Sequence, residues 1–333
     1  MTTTLDVLGV GNAIVDVLTR AEDDALARAG LHKGAMQLID EARADALYAD
    51  MGPTTIVSGG SAANTMAGLA SLGCRVGFVG KVKEDEAGRE FAHDIRKAGV
   101  AFETPFATDG AATARCLIFV TPDGQRTMNT FLGACQALGP ADIDEAQAAD
   151  AKVLYLEGYL WDPPAAKEAF LKAAKLSRAK GRKVALSLSD AFCVDRYRDE
   201  FLGLIRDQLV DIVFANESEL HSLYQTADFD TALVALRAEK GLLGVVTRSA
   251  QGALVADAAG VVSVPAFAVE EIVDTTGAGD LFAAGFLAGF TQGLPHDRSA
   301  RLGALAAAEI ISHFGARPQK DLAQLARDNG LLA

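Results

Sequence analysis

The sequence predicts a three-layer α/β/α fold, in which a mostly parallel sheet lies between two layers of helices, with a small β lid. Short apolar runs alternate with helix-like segments along most of the chain, and repeated βα units form parallel sheets covered on both faces. Two stretches, residues 14–40 and 101–132, are too β-rich for that layer and predict the lid. No Pro/Ser-rich linker divides the chain, so we expect residues 1–333 to form a single domain whose remainder is the α/β core.

The N-terminal half begins with a buried strand at residues 6–17 that turns at Gly9–Asn12. In the lid, Thr121–Gly124 is typical of a hairpin turn between two strands. The other elements predicted in this half are a helix at 21–30, a strand at 36–39, a helix at 61–72, a strand at 76–80 and a helix at 84–98.

The C-terminal half resumes the strand–helix alternation at Lys152. Apolar runs typical of buried strands occupy residues 153–156, 184–189, 212–215, 244–247 and 254–257. Helices are predicted between and after them, at 163–180, 217–224, 228–240, 280–292 and 297–313.

Composition limits the classes of function. The chain has 333 residues, 50% of them hydrophobic, and a formal net charge of −13. This acidic balance argues against a nucleic-acid partner, which would need basic patches. The longest apolar runs are shorter than the roughly twenty residues of a membrane span, and no basic leader precedes the first strand. We therefore expect a cytoplasmic protein with no membrane partner, whose four cysteines are reduced thiols.

The segment Asp274–Asp280 (D-T-T-G-A-G-D) carries the strongest chemical signal. The amides of Gly277, Ala278 and Gly279 precede an apolar helix, and amides at a helix N-terminus bind anions. A carboxylate at Asp280 would repel a bound phosphate, unless it accepts the proton of a hydroxyl that attacks phosphorus. The alternative is a Gly-rich turn that only caps a helix.

This segment resembles the D-T-x-G-A-G-D signature of the ribokinase/PfkB carbohydrate kinases. Two further family-like motifs follow the family order, G-G-x-x-x-N at 59–64 and N-x-x-E at 216–219, so the resemblance covers nearly the whole chain. It implies a ribokinase-like fold and transfer of a phosphoryl group from ATP, with Mg²⁺, to a hydroxyl. By analogy alone, it also implies a K⁺ ion beside the Asp274 loop.

The acceptor side of the expected site uses three polar residues and a glycine. Gly60 would let a substrate hydroxyl approach the backbone, and Asn64 offers both a donor and an acceptor. Asn12 and Asp16 have a spacing of four on the first strand, so we expect both on one face. The alternatives are a simple helix-starting turn at Ser61 and a strand-end Asp16 that faces water.

The nucleotide side is less specific. Oxygens of Asn216 and Glu219 suit Mg²⁺, although the same pair is also typical of a capping box at a helix N-terminus. The resemblance implies that the loop with Thr247, Arg248 and Gly252 contacts the nucleotide. It also places His313 near the adenine pocket. Arg126, on the lid, is expected either to close over the transferred group or to be a solvated hairpin residue.

Within the family, the chain resembles the adenosine-kinase-like branch. The G-N-x-x-x-D start at 11–16 carries this resemblance, with Gln37 at the place of a lid glutamine that faces the purine. Phe192 matches an aromatic that stacks on the base, and Met128 is an apolar lid residue beside it. We therefore expect a ribonucleoside substrate, adenosine first. Ribose, fructose or a keto-deoxy sugar acid is the alternative, and a catalytically silent nucleotide-binding module is the third. A monomer and a homodimer through the lid both remain open.

Overall fold

The computed structural model describes residues 5–332. Its strands, in chain order, are β1 (Val7–Val10), β2 (Ile14–Arg20), β3 (Met36–Leu38), β4 (Thr55–Gly59), β5 (Val76–Val79), β6 (Val100–Phe102), β7 (Ala114–Val120), β8 (Arg126–Phe131), β9 (Val153–Glu157), β10 (Lys183–Ser187), β11 (Ile212–Asn216), β12 (Leu243–Thr247), β13 (Ala253–Ala256) and β14 (Val261–Val264).

The α-helices are α1 (Asp23–Arg28), α2 (Glu41–Asp50), α3 (Ser61–Ser71), α4 (Glu86–Lys97), α5 (Glu145–Asp150), α6 (Pro164–Ala179), α7 (Ala191–Arg206), α8 (Glu217–Tyr224), α9 (Phe229–Ala238), α10 (Ala278–Thr291), α11 (His296–Ile310) and α12 (Leu322–Asp328). None of the helices within residues 5–332 has both the length and the apolar character needed to cross a membrane.

The larger sheet has nine strands in the order β14-β13-β12-β11-β10-β9-β1-β5-β6. The pairs from β12 to β6 are parallel, whereas β13 and β14 pair antiparallel at one edge. Alternate residues of β9 enter different hydrophobic clusters, Val153 and Tyr155 on one face and Leu154 and Leu156 on the other. The sheet is therefore buried on both faces, as a parallel sheet between helix layers requires.

The second sheet, which we call the lid, has five strands in the order β3-β8-β7-β2-β4. Directly paired residues share a face, so one row crosses all five strands: Leu38, Thr130, Cys116, Asp16 and Val57. The carboxyl ends of β1, β9, β11 and β12 meet at one edge of the larger sheet. Such an edge is where open α/β sheets bind their ligands.

The predicted strand at residues 6–17 is two strands in two sheets. β1 belongs to the larger sheet and β2 to the lid, and the chain crosses between them at Gly11–Ala13. A Cβ atom on Gly11 would collide with the carboxylate of Glu157, so only glycine fits at the crossing. Asn12 therefore lies in the connection, and it does not share a strand face with Asp16.

The lid also departs from the predicted segments. β4 belongs to it, because residues 55–59 pair antiparallel with β2, whereas β6 pairs with β5 in the larger sheet. Long-range pairing decides both assignments, and neither segment is long enough to show it by periodicity. Helices α2 and α7 were not predicted, although Asp40 and Asp190 cap them by accepting from the amides of Arg43 and Cys193.

Candidate active site

A cavity of about 810 Å³ lies at the carboxyl edge of the larger sheet, beneath the lid. It brings together most of the residues predicted from sequence: Asn12, Asp16, Gly60, Asn64, Met128, Phe192, Asn216, Glu219, Thr247, Gly277, Ala278, Gly279 and Asp280. Five predicted residues are not part of its lining, namely Gln37, Arg126, Arg248, Gly252 and His313.

Asp280 lies in the first turn of α10 and points to α3. Its Oδ1 accepts a hydrogen bond from Ser61 Oγ (2.6 Å), and its Oδ2 accepts one from Asn64 Nδ2 (3.1 Å). Burial raises the pKa of Asp280, while the bonds from Ser61 and Asn64 and the charge of Arg317 oppose that rise. The carboxylate is thus oriented, poorly solvated and able to accept a proton.

The start of α10 forms the predicted anion cradle, with one change. Gly277 is the N-cap residue and has φ +80°, a conformation that favours glycine. The first turn of a helix leaves its amides without intrahelical acceptors, which suits an anion. Ala278 departs from the prediction, because its amide donates to the carbonyl of Thr275 (3.2 Å). Gly277 and Gly279 are the better candidates for the cradle.

Two glycines shape the acceptor side. A Cβ atom on Gly59 would collide with the Asp16 carboxyl group, and one on Gly60, which has φ +94°, would collide with the carbonyl of Asn12. The turn between β4 and α3 therefore packs directly on these two residues. Burial raises the pKa of Asp16 to about 6, and the charges of Arg317 and Arg126 limit the rise.

Glu157, at the end of β9, is a site residue that sequence reasoning missed. Its Oε1 accepts from Asn12 Nδ2 (2.6 Å) and from the Asn12 amide (3.4 Å), while its Oε2 accepts from the Ala62 amide (2.8 Å). Burial raises its pKa to about 7. The available signal was a carboxylate that ends an otherwise apolar strand (V-L-Y-L-E), because such a group needs partners.

Asn216 and Glu219 line the cavity but bond to each other. Glu219 accepts from the Asn216 amide (3.0 Å) and Nδ2 (2.5 Å), and its own amide donates to Asn216 Oδ1 (2.9 Å). These bonds form the capping box that the sequence offered as the alternative to a Mg²⁺ site. Burial raises the pKa of Glu219 to about 7. Since residues 5–332 contain no group of three or more His, Cys, Asp or Glu side chains that could hold a metal ion, the pair fits a hydrated Mg²⁺ better than direct coordination.

The predicted orientation of Gln37 is wrong. Side chains of a strand alternate between faces, and β3 turns Met36 and Leu38 to the cavity. Gln37 lies on the opposite face of the lid, where its Nε2 donates to Asn129 Oδ1 (2.7 Å). The cavity therefore has two apolar residues where the resemblance implied an amide.

The predicted nucleotide residues Arg248, Gly252 and His313 have local partners. Arg248 donates to Glu217 Oε2 (3.0 Å) and stacks on Phe229, with its Cζ 3.8 Å from the ring centroid. Gly252, at φ +86°, makes the turn into β13, where a Cβ atom would collide with the carbonyl of Val264. His313 contacts Glu309 (3.1 Å). A linear motif does not show these contacts, and none of the three residues is part of the cavity lining.

Arg126 extends from the lid to the loop before the cradle. Its Nη1 donates to Thr276 Oγ1 (2.9 Å), and its Nη2 lies 3.0 Å from Asp274 Oδ2. Asp274 also accepts from the amides of Thr276 and Gly315, both at 3.0 Å. Arg126 is therefore neither solvated nor free over the cavity; it joins the lid to the motif loop.

One part of the cavity wall is apolar and exposed. Phe192 is 69% exposed, Leu38 58% and Met36 50%, and all three line the cavity with Met128. Arg196, which also lines the cavity, stacks on Phe192, with its Cζ 5.4 Å from the ring centroid. Exposed aromatic and methionine side chains in a cavity suit a flat apolar group.

A carboxylate beside the amides of a helix N-terminus, under a lid, defines a phosphotransferase class of site. The family comparison agrees: the model of the pfkB family carbohydrate kinases matches residues 36–322. The chain belongs to this family, and the predictions of family and of a ribokinase-like fold are confirmed.

Two solved structures and two curated proteins illustrate its relatives. A probable sugar kinase of Rhizobium etli is 50% identical, with a TM-score of 0.92 over 99% of this chain and 100% of that one. The adenosine kinase of Sinorhizobium meliloti is 51% identical, with a TM-score of 0.91 over 98% and 100%. The cytidine kinase of Thermococcus kodakarensis is 31% identical over 81% of this chain and 94% of its own length. The adenosine kinase of Saccharomyces cerevisiae is 28% identical over 95% and 96%.

The chain is thus a phosphotransferase that acts on a hydroxyl group of a sugar or nucleoside. The names of its relatives span sugars and nucleosides, so the comparisons alone leave the acceptor open.

Proposed function

We propose that this protein transfers the γ-phosphoryl group of ATP to the primary hydroxyl of a ribonucleoside, adenosine first. One observation carries the proposal: the cavity joins a polar floor, with Asn12, Asp16 and Asn64, to an apolar wall that holds Phe192. The floor suits the vicinal hydroxyls of a ribose and the wall suits a base. A free sugar would leave that wall unused.

In this mechanism Asp280 accepts the proton of the attacking hydroxyl. Ser61 and Asn64 orient its two oxygens, so that the free electron pairs face the cavity. The amides of Gly277 and Gly279 stabilise the charge that develops on the transferred group. Positioning and electrostatics supply most of the rate enhancement in such reactions.

Two ions enter the proposal differently. Mg²⁺, when bound with ATP, neutralises phosphate charge, and Asn216 and Glu219 would hold it through water. The Asp274 carboxylate already accepts from two amides and pairs with Arg126. These partners leave the Asp274 carboxylate poorly suited to hold a K⁺ ion, and the proposed mechanism uses none. The cytoplasmic location and the oligomeric state remain predictions.

The similarity to the Sinorhizobium meliloti adenosine kinase supports a nucleoside acceptor. The alternative, a sugar kinase, has one observation in its favour. Arg196, which pairs with Asp162, lines the cavity and would suit an anionic substituent. Relatives include an ATP-dependent ribose-1-phosphate kinase of Halopiger xanaduensis, 33% identical over 69% of this chain and 72% of its own length.

The test measures ADP release with ATP and Mg²⁺ against adenosine, cytidine, ribose, fructose, ribose 1-phosphate and a keto-deoxy sugar acid. We expect the highest kcat/KM with adenosine. A higher value with any sugar overturns the nucleoside assignment. ATP binding without turnover on any acceptor indicates the silent module.

Phe192→Ala sharpens the test. Loss of one stacking surface should raise the KM for adenosine about tenfold, the effect of losing one base–aromatic stack. Any residual ribose turnover should keep its KM, because ribose does not reach the wall. Equal effects on both acceptors would contradict a base-stacking role.

A further inference from the structure

Arg317 lies in the connection between α11 and α12, far along the chain from the acceptor motif. Its Nε donates to the carbonyl of Ser58 (3.1 Å), its Nη1 to the carbonyl of Ala63 (2.6 Å) and its Nη2 to Ser58 Oγ (2.8 Å). These acceptors flank the Gly59–Gly60 turn on both sides. One side chain thus fixes the end of β4 relative to the first turn of α3.

The residues next to Arg317 contact the cradle. The amide of Gly315 donates to Asp274 (3.0 Å). Ala316 packs closely on Gly277, since a Cβ atom added to Gly277 would lie 3.0 Å from the Cβ of Ala316. We call residues 315–317 the bridge. Three consecutive residues of the bridge contact the motif loop, the cradle and the acceptor turn, which are the parts that must align for phosphoryl transfer.

Arg317 is also the cation among the groups that act on Asp280. The others are Ser61 and Asn64 of α3. Burial, with the charge of Asp280, in turn raises the pKa of the titratable groups around it, Asp16, Tyr155, Glu157 and Tyr159. Asp94 is a further carboxylate beside Arg317, where it accepts from the amide (2.8 Å) and Oγ (2.5 Å) of Ser58. Burial lowers the pKa of Arg317 to about 10, so the guanidinium stays charged at neutral pH.

We propose that Arg317 is a positioning residue for the transfer reaction, which holds the acceptor turn in register with the cradle and keeps Asp280 in its carboxylate form. The inference rests on the proposed function, in which Asp280 is the base. Arg317 is not part of the cavity lining; it acts through Ser58, Ala63 and Asp280.

The experiment compares the pH dependence of kcat/KM for the wild type, Arg317→Gln and Arg317→Lys. Arg317→Gln removes the charge, so the acid limb should move up by about one pH unit, the usual size of a nearby-charge effect. Arg317→Lys keeps the charge but lacks the planar fork, so its acid limb should stay in place. The KM for the acceptor should rise about tenfold in both, as expected for lost charge-assisted hydrogen bonds.

Arg298→Gln is the matched control. Arg298 is likewise partly buried, and it donates to the carbonyls of Leu331 (2.9 Å) and Gly330 (3.1 Å), away from the cavity. Its loss should lower thermal stability and leave the acid limb and KM unchanged. Equal pH shifts in the Arg298 and Arg317 variants would overturn the proposal, as would a wild-type acid limb in folded Arg317→Gln.

If Arg317→Gln does not fold, the Arg317→Lys variant tests the proposal alone. A shifted acid limb or an unchanged KM in Arg317→Lys would contradict the assigned role. A readout without turnover separates this proposal from the proposed function. The pKa of Asp280 can be measured by following its side-chain carboxyl ¹³C signal in NMR spectra against pH. This signal is assigned by its absence in Asp280→Asn. An unchanged value in the Arg317 variant overturns the inference, whatever the acceptor, whereas full turnover of Asp280→Asn overturns the proposed function.

Discussion

The acceptor and nucleotide halves of the cavity are held together in different ways. In the acceptor half, long-range hydrogen bonds connect Asp280 to α3, Asn12 to Glu157, and Arg317 to Ser58. In the nucleotide half, Asn216 and Glu219 bond to each other three residues apart, and Arg248 pairs with Glu217 beside them. Contacts between distant segments therefore fix the groups that must meet a hydroxyl, whereas the polar side chains of the nucleotide half are satisfied by one another.

The largest expected effect is at Asp280. Asp280→Asn keeps the size of the side chain but removes the base, so kcat should fall by about 10²–10⁴. Calorimetric binding of adenosine should survive, because the polar floor and the apolar wall are untouched. Near-normal turnover would show that the acceptor half does not contain the base.

The next effect tests the packing of the acceptor turn. Gly60→Ala places a Cβ atom against the Asn12 carbonyl at φ +94°, so it should cost about 1–3 kcal/mol in unfolding free energy and raise the acceptor KM. Gly30→Ala is the control, since Gly30 also has positive φ (+67°) but no atom within 4 Å of a Cβ. It should cost only the backbone strain and leave KM alone. Equal KM changes in the two variants would contradict the tight turn.

The buried carboxyl group of Glu157 should make the stability of the protein depend on pH. Its pKa rises from 4.5 to about 7 on folding, so the folded state holds the extra proton between these values. Stability should therefore fall as pH rises through that window, by on the order of 1–3 kcal/mol for this group. Glu157→Gln should remove this part of the slope in denaturant unfolding. It should also raise the acceptor KM, since a glutamine has one acceptor oxygen, and its NH₂ group cannot accept from whichever of Asn12 and Ala62 it faces. An unchanged slope would mean that Glu157 is already ionised across the window.

The smallest effect is expected in the nucleotide half. Arg248→Gln breaks the ion pair with Glu217 and the stack on Phe229, which together are worth about 1 kcal/mol of stability. The KM for ATP should change less than about threefold, because a partly exposed pair held this way contributes little to a distant site. An increase of the KM for ATP beyond tenfold would show that Arg248 reaches the phosphates. The nucleotide half would then also depend on a residue held in place by the fold.

The success of sequence reasoning followed the same division. Asp280, Asn64, Asp16 and Asn12 could be placed because a linear motif or a costly buried charge marked each of them. Gln37 could not, since one position of strand register decides which face of the lid it occupies. Arg317 and Glu157 act through partners about 95 to 259 residues away, and no local pattern announces such contacts.

Local features of the sequence were enough to predict the layered α/β class, the family and the chemistry of the turn before α10. Periodicity, glycine spacing and the carboxylate of Asp280 beside an anion-binding turn are local signals, which can be recognised without knowledge of the tertiary contacts. Three features became visible only in the folded chain: the first predicted strand divides between two sheets, β4 joins the lid, and the bridge at residues 315–317 contacts both the acceptor turn and the cradle. Those outcomes depend on strand pairing and close packing between distant segments, whose free energies no single stretch of chain contains.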